Sequence, residues 1–469
     1  MKRLRIKSVE TMLEHAGHRP LPKRLGAFDL VMLGIGCTIG TGIFVLTGVG
    51  AAMAGPGLTL SFVVAGVACI FAALAYAELA AMVPVAGSAY TYSYAVLGEA
   101  VAWLVGWNLV LEYAVSGSAV ASGWSGYATG ILAQAGIHIP PAWTTATANG
   151  GIMDLPAVLI VAFVTGLLVV GTRESAWVNR VLVAVKLAVI ALFLFLAFPK
   201  VDAANWDPFL PMGWFSRVSD GNNVGVFAAA AIIFFAYIGF DAVSTAAEET
   251  RNPNRDLPIG LVGSLAICTL VYIAVAAVAT GAVPYTALAN DKEPLAMVLR
   301  TLNHPAAAAV LALGALAGIT TVLLVLMYGQ TRIFFVMSRD RMLPPVFSAL
   351  HPRFGTPHLV TIGTGAVVAF IAGILPLDEL AALSNIGTLF AFFAVALGVM
   401  VLRRTQPHRP RPFRCPMVWL TGTLALLCCS ALMWFLPAET WWRFLLWSLL
   451  GVVIYAFYGY RMSPLKQDA

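Results

Sequence analysis

The chain has 469 residues, of which 60% are hydrophobic and 11% are charged, and its mean hydropathy is +0.86. This composition is typical of a polytopic membrane protein and excludes a soluble globular protein. The formal charge of +6 does not indicate a nucleic-acid partner, because the basic residues are distributed as in a membrane protein.

Apolar stretches predict twelve membrane-spanning helices, because about 20 apolar residues cross the hydrocarbon core. The twelve spans are expected near 27–52, 57–82, 99–128, 154–171, 177–198, 223–248, 257–282, 306–337, 358–375, 379–402, 417–436 and 441–460. Twenty-one Lys and Arg residues then lie on the side of the N-terminus and five on the opposite side. Since basic residues mark the cytoplasmic side, both termini are predicted to be cytoplasmic. The first 26 residues lack the pattern of a cleavable secretory signal.

The first span contains an unusual density of glycine, with four glycines in the nine residues from Gly34 to Gly42. Glycine weakens a helix interior, and a broken helix at membrane depth is tolerated only where protein or a water-filled cavity satisfies the freed backbone groups. An interruption from Ile39 to Gly42 would place free amides at the start of a second half-helix, which suits an anion such as a carboxylate. A glycine face for close helix packing is the alternative.

The sixth span contains a second interruption. Gly239 can end one half-helix, and Asp241 is suited to cap the next. The carbonyl groups of Phe235, Ala236 and Ile238 would then face a cation such as an ammonium. An ordinary aromatic helix with one glycine is the alternative. Spans 1 and 6 each begin a set of five, and paired interruptions in inverted repeats indicate the binding site of a transporter.

Three of the ionisable residues within the predicted spans lead to specific expectations. Lys186 lies too deep in span 5 to reach the surface, and burial disfavours its charged form, so it is suited to exchange a proton. A permanently charged lysine bonded to carbonyls freed in span 1 is the alternative. Glu112, near the middle of span 3, is expected to meet the substrate's amino end or a cationic side chain, or to be a protonated packing residue. Glu78 is expected to be solvated or to cap a helix.

Two connections are predicted to hold short helices, at 88–97 along the cytoplasmic surface and at 293–302 on the outer face. The acidic and basic residues that begin at Glu248 form either an inner gate or a solvated face. The six cysteines lack the spacing of a metal or redox site, and the seven histidines fall in loops or termini. No metal, cofactor or enzymatic activity is therefore predicted.

Several motifs resemble the amino acid–polyamine–organocation (APC) superfamily, and within it bacterial members of the cationic amino acid transporter (CAT) family. They are GIGCTIGTGIFVLTG from Gly34, AGPG from Ala54, YAEL from Tyr76, GWNLVLEY from Gly106, AEETRNPNRDLP from Ala247 and YGQTR from Tyr328. The resemblance covers roughly residues 20–460. It departs from the vertebrate members, which are predicted to have two more spans than the twelve found here.

The resemblance implies an all-α membrane protein with a leucine-transporter-like (LeuT-like) fold. In this fold two inverted repeats of five spans carry the broken helices 1 and 6, and two further helices follow. The implied divisions are a cytoplasmic N-terminal segment 1–26, repeat one at 27–200, repeat two at 201–402, a basic cytoplasmic loop 403–416, the last two spans at 417–461 and a cytoplasmic tail 462–469.

The resemblance also implies a binding site for an α-amino acid. The carboxylate site falls on the amides of Ile39, Gly40, Thr41, Gly42 and Ile43, and the ammonium site on the carbonyls of Phe235, Ala236 and Ile238. A zwitterion held by backbone groups at both ends defines the substrate class without selecting a side chain.

The remaining site residues concern coupling and selectivity. In proton-coupled relatives a lysine of span 5 occupies the cation site between spans 1 and 8, which implies proton coupling through Lys186 and argues against sodium dependence. Glu112 and Ile319 are assigned to the side-chain pocket. A bulky apolar Ile319 favours small neutral amino acids such as alanine, because a buried unpaired charge is costly. The family name favours arginine and lysine instead.

These features together imply a proton-coupled amino acid symporter of the cytoplasmic (inner) membrane that works by alternating access. Its expected partners are the amino acid, protons and the lipid bilayer. The alternatives are a cationic amino acid transporter and an amino acid exchanger without proton coupling.

Overall fold

The computed structural model describes residues 5–7, 23–85, 87–171, 176–217, 223–289 and 291–463. Most of the predicted N-terminal segment and nearly all of the predicted C-terminal tail lie outside these residues. Among the described residues, nine helices are long and apolar enough to cross a membrane. Three shorter apolar helices accompany them, at Ala27–Thr38, Leu155–Val170 and His358–Ile374. The chain is thus a helical, multi-pass membrane protein.

The described helices are numbered in chain order. They are α1 Ala27–Thr38, α2 Thr41–Phe44, α3 Leu46–Ala54, α4 Leu58–Met82, α5 Ser88–Val96, α6 Glu99–Gln134, α7 Leu155–Val170, α8 Ala176–Ala197, α9 Val226–Ile233, α10 Pro253–Ala282, α11 Tyr285–Leu288, α12 Pro294–Thr301, α13 Pro305–Arg339, α14 His358–Ile374, α15 Leu377–Thr405, α16 Val418–Phe435, α17 Ala438–Ile454 and α18 Tyr460–Met462. Two short strands, β1 Ser216–Arg217 and β2 Asn223–Val224, pair antiparallel before α9.

The first interruption lies between α1 and α2. The helix α1 ends at Thr38, Ile39 is extended with φ −75° and ψ 106°, and Gly40 has φ −164° and ψ −137°. The chain then forms α2 and, after Val45, continues as α3. The interruption predicted from the glycine density is therefore present.

The second interruption follows α9. The chain passes from α9 into a 3₁₀ turn at Phe234–Tyr237, Ile238 is extended, and Gly239 has φ 110°. A side chain at 239 would be strained at this positive φ. The segment beyond the break, Phe240–Glu249, is a 3₁₀ helix, and Asp241 lies in its first turn.

The two interruptions lie in the centre of the helical bundle. The 36-residue helix α6 packs against α13, α15, α7 and α14. The helix α10 packs against α1, α4 and the segment Phe240–Glu249. The long helices therefore enclose the interrupted segments and supply the side chains that reach their backbone groups.

Both predicted short helices form, as α5 and α12. All nine residues of α5 are buried against the rest of the protein. Two of its tyrosines find polar partners at the end of the bundle. The hydroxyl of Tyr90 donates to Asp340 at 3.0 Å, and that of Tyr94 donates to Glu99 at 3.4 Å. These bonds allow a tyrosine-rich helix to be buried.

Glu78 is neither solvated nor a cap, which corrects the expectation from the sequence. Its carboxylate is fully buried and accepts hydrogen bonds from Arg403 at 2.6 and 2.8 Å and from Arg411 at 3.1 Å. The backbone N–H of Cys415 donates to it at 2.8 Å. Glu78 therefore ties α4 to the basic loop between α15 and α16.

The helix α17 is joined to α6 by tryptophans. The indole N–H of Trp107 donates to the carbonyl of Trp447 at 2.9 Å, and that of Trp447 donates to the carbonyl of Trp107 at 3.0 Å. The two rings stack with centroids 4.5 Å apart. Trp103 adds a bond to the carbonyl of Gly451 at 2.8 Å. The hydrogen bonds are thus reciprocal across this interface.

Candidate substrate-binding site

The two interruptions contact each other directly. A Cβ on Gly42 would overlap the Cα of Ala236, and a Cβ on Gly239 would stand 2.8 Å from the carbonyl oxygen of Cys37. Each interruption therefore needs glycine where the other one packs. The start of α2 and the end of the 3₁₀ turn after α9 come together at this point.

The predicted carboxylate-binding residues lie on the α2 side of the contact. The carbonyl of Gly40 accepts the N–H groups of Ile43 and Phe44, each at 3.2 Å. The amides of Thr41 and Gly42 open the helix, where N–H groups lack intrahelical acceptors. Thr41 is buried, and its hydroxyl oxygen has no hydrogen-bond partner within the described ranges.

The predicted ammonium-binding carbonyls lie on the α9 side. The carbonyl of Phe235 accepts the N–H of Ile238 at 3.1 Å. The carbonyl of Ala236 accepts the hydroxyl of Tyr272 at 2.8 Å, and that hydroxyl is also 2.9 Å from the carbonyl oxygen of Thr38. A carbonyl oxygen has two lone pairs, so Ala236 can accept a second donor.

Two residues that donate to backbone carbonyls in and just before this interruption were not predicted from the sequence. Tyr272 comes from α10, and Asn385 comes from α15. The side-chain amide of Asn385 donates to the carbonyls of Ala231 and Ile232 at 2.7 and 2.8 Å, where α9 ends. In the sequence each appears only as a single polar side chain, an amide or a phenol, in an apolar span. Such a residue does not indicate which group it will bond.

Lys186 lies between α1 and α13. Its Nζ donates to the carbonyl of Gly36 at 2.6 Å, and the side chain is buried. A Cβ on Gly318 would stand 2.9 Å from Cε of Lys186, so Gly318 makes room for the lysine chain. The ammonium thus donates a hydrogen bond to a carbonyl in the last turn of α1, just before the first interruption.

A cavity of about 200 Å³ leads to the two interruptions. Cys37, Ile238 and Gly239 line it at the interruptions, and Arg339, at the end of α13, also lines it. Two buried carboxylates line the same cavity, Glu112 from α6 and Asp241, which the sequence suggested only as a cap. Oε2 of Glu112 has no partner among the described atoms.

The α13 wall of the cavity is mostly apolar. Val322, Val325, Leu326 and Ile333 line it. Ile319, the predicted pocket residue, lies one turn before Val322 and is fully buried. The structure thus brings Glu112 together with the second interruption and places Ile319 behind the lining of this cavity.

The end of the cavity near Arg339 carries charges of both signs. Glu248, Arg332 and Arg339 line it, and the guanidinium of Arg332 lies 4.4 Å from the ring centroid of Tyr328. Within the described ranges, no group of three or more His, Cys, Asp or Glu residues is arranged to hold a metal ion. Carboxylate and guanidinium groups therefore lie together at this end of the cavity.

The sequence model of the amino acid permease family matches residues 25–457. The chain is 48% identical to the branched-chain amino acid permease of Bacillus subtilis over 468 residues, which cover 99% of both chains. It is 44% identical to the methylthioribose transporter of Bacillus subtilis over 466 residues, again 99% of both chains. It is 36% identical to the human cationic amino acid transporter 4 over 405 residues, which cover 84% of this chain and 62% of that relative. The chain therefore belongs to the amino acid permease family of the APC superfamily.

Proposed function

We propose that this amino acid permease is a proton-coupled symporter that takes up neutral L-amino acids by alternating access. The observation that carries the proposal is the contact between the two interrupted segments. Gly42 of α2 packs against the backbone of Ala236, so the start of α2 and the turn Phe234–Tyr237 meet at one point, which supports a shared binding site. Opposite helix ends favour opposite charges, so the substrate's carboxylate binds at Ile39–Ile43 and its ammonium at Phe235, Ala236 and Ile238.

The arrangement proposed for the whole chain is twelve spans in a LeuT-like fold. The interrupted segments α1–α3 and α9 to Glu249 begin two sets of five apolar segments, and α16 and α17 follow. The cavity reaches Arg339, and the distribution of basic residues supports a cytoplasmic location for that side of the bundle. The described conformation is thus proposed to be open to the cytoplasm of a protein in the cytoplasmic membrane.

Proton coupling is assigned to Lys186. Its ammonium bonds to the Gly36 carbonyl, two residues before the end of α1. Loss of the proton would remove the charge from this contact, release α1 and allow the substrate to leave inward. Each pH unit of inward gradient supplies about 1.4 kcal/mol for accumulation.

The substrate proposed is a small neutral amino acid such as alanine. The apolar wall of Val322, Val325 and Leu326 supports a neutral side chain. The 48% identity to a protein named as a branched-chain amino acid permease supports neutral aliphatic side chains too. A second candidate, a cationic amino acid, is favoured by Glu112 and Asp241 in the same cavity, because buried carboxylates prefer a cationic partner.

The proposal is tested by uptake into proteoliposomes with an imposed inward proton gradient and no sodium. The gradient should drive alanine uptake, and Lys186→Ala should lose that acceleration. Lys200→Ala, which removes an exposed lysine just after α8, is the matched control and should keep it. Uptake that ignores the gradient but needs internal amino acid would instead identify an exchanger. Arginine uptake above alanine uptake would identify the cationic alternative.

A further inference from the structure

The basic loop 403–416, which joins α15 to α16, is held in one shape from within. It contains five arginines and no acidic residue. Two of the arginines, Arg403 and Arg411, share the buried carboxylate of Glu78. Arg411 also donates to the carbonyl of Gln406 at 2.7 Å and so ties the loop to itself. One carboxylate balances only one of the two guanidinium groups, so the loop keeps a positive charge in a defined conformation.

Two further arginines of this loop, Arg404 and Arg414, are exposed. Among the residues that the structure describes, neither of them bonds to a carboxylate. The guanidinium of Arg404 lies 5.0 Å from the ring centroid of Trp419, which belongs to the first turn of α16. A cation over an aromatic face is attracted to it, so this contact positions the Arg404 group. The junction of α15 and α16 thus presents positive charge that the described part of the protein does not neutralise.

The same junction adjoins an exposed apolar surface. Met417, Trp419 and Leu420 are 72%, 46% and 52% exposed, and they stand at the start of α16, which is long and apolar enough to cross a membrane. Tryptophan at the start of a span lies at the level of the lipid headgroups. The arginines beside it therefore lie at the depth of the lipid phosphates, and the exposed face of α16 lies beside the acyl chains.

We propose that Arg404, Arg414 and Trp419 form a binding site for the headgroup of an anionic phospholipid. The arginines select an anionic lipid, because a zwitterionic headgroup carries its own cation and an anionic one does not. The exposed Met417 and Leu420 favour a lipid over a soluble phosphate, since only a lipid has chains to cover them. The internal bonds of the loop hold the site in shape, so little ordering is needed on binding. This lipid site is independent of the amino acid site.

The test is native mass spectrometry of the purified full chain, titrated with phosphatidylglycerol or with phosphatidylcholine of the same acyl chains. Wild type should prefer phosphatidylglycerol. The double variant Arg404→Gln/Arg414→Gln should bind phosphatidylglycerol roughly 25-fold more weakly, because each arginine near an anionic headgroup contributes about fivefold. Its binding of phosphatidylcholine should stay within about twofold of wild type. Equal binding of the two lipids by wild type, or an unchanged preference in the double variant, would overturn the proposal.

The double variant Arg251→Gln/Arg255→Gln is the matched control. It removes the same charge from two exposed arginines that lie in sequence among Glu248, Glu249 and Asp256. It should keep the preference for phosphatidylglycerol. Loss of the preference in both double variants would show that net charge alone attracts the lipid and that the loop holds no site. All four side chains are exposed, so both variants should fold, which a melting curve in detergent checks.

Two tryptophans of α16 separate a built site from general charge attraction. Trp419→Ala keeps every charge and removes the ring beside Arg404, so phosphatidylglycerol binding should weaken about threefold. Trp434→Ala removes a 76% exposed ring near the other end of α16 and should leave binding unchanged. Equal effects of the two variants would contradict the proposed position. Inorganic phosphate should not displace phosphatidylglycerol, and displacement would identify a site for soluble phosphate and refute the lipid site.

Discussion

Gly318 of α13 packs against the aliphatic chain of Lys186, so that a Cβ at position 318 would stand 2.9 Å from Cε and 3.0 Å from Cγ of the lysine. The lysine has little freedom to adjust, because its Nζ is hydrogen-bonded to Gly36 of α1. The position of the ammonium thus depends on the absence of a side chain on a third helix.

Gly318→Ala should therefore weaken proton coupling although residue 186 remains a lysine. The added methyl displaces the chain of Lys186, and the bond to the Gly36 carbonyl lengthens or breaks. We expect the acceleration of alanine uptake by a proton gradient to fall about tenfold, the equivalent of one lost hydrogen bond to a charged group. Gly363→Ala is the control, because a Cβ there meets nothing within 4 Å. Equal gradient responses of the two variants would contradict the prediction.

Gly42→Ala should abolish transport. A Cβ at this position overlaps the backbone of Ala236, so the two interrupted segments must separate. Overpacking of this kind typically costs about 1–3 kcal/mol, and here it also displaces both ends of the proposed site. The measurement is binding and uptake of labelled alanine by purified protein. Gly166→Ala, in α7 with open space around its Cα, serves as the control and should transport normally.

Glu78→Ala should strongly destabilise the fold. It leaves Arg411, whose side chain is only 3% exposed, without the carboxylate that neutralises it. Breaking such a buried pair costs about 3–5 kcal/mol. The melting temperature in detergent should fall clearly. Glu439→Ala removes the 79% exposed partner of an ion pair at 3.9 Å with Arg443 and should leave the melting temperature nearly unchanged. A similar melting temperature for both variants would contradict a stabilising role for the buried Glu78–Arg411 ion pair.

Glu293, which precedes α12, should make stability depend on pH. Burial raises the pKa of this carboxyl above 4.5, although its hydrogen bond to Arg300 opposes the rise. A group whose pKa is higher in the folded state stabilises the protein below its unfolded pKa, and this contribution is lost as the pH rises through the folded pKa. We therefore compare the melting temperatures of wild type and Glu293→Gln. The value for wild type minus that for the variant should be largest in acid and should decrease as the pH rises above 4.5. A melting-temperature difference that grows with pH would show that the pKa of Glu293 is lowered, not raised, in the folded protein.

The sequence predicted the features that depend on local chemistry. Glycine density between Gly34 and Gly42 indicated the first interruption, and Gly239 with Asp241 and the pairing of spans 1 and 6 indicated the second. The depth of Lys186 and the resemblance together located the lysine beside α1. The partners that come from distant parts of the chain were not predictable. Tyr272 reaches a carbonyl 234 positions away, and Glu78 is bound by an arginine 325 positions away. Apolar composition indicates that such helices are buried, but it does not determine which face of one helix packs against which face of another.

The reciprocal tryptophan bonds between α6 and α17 have a practical consequence for measuring motion. Trp107 and Trp447 each donate to the other's backbone, so separating the helices would break two hydrogen bonds and a ring stack. A pair of spin labels on these two helices should thus give one unchanged, narrow distance distribution in every condition. Distances from a label on α1 to a label on either of these helices then report the movement of α1 relative to a fixed reference.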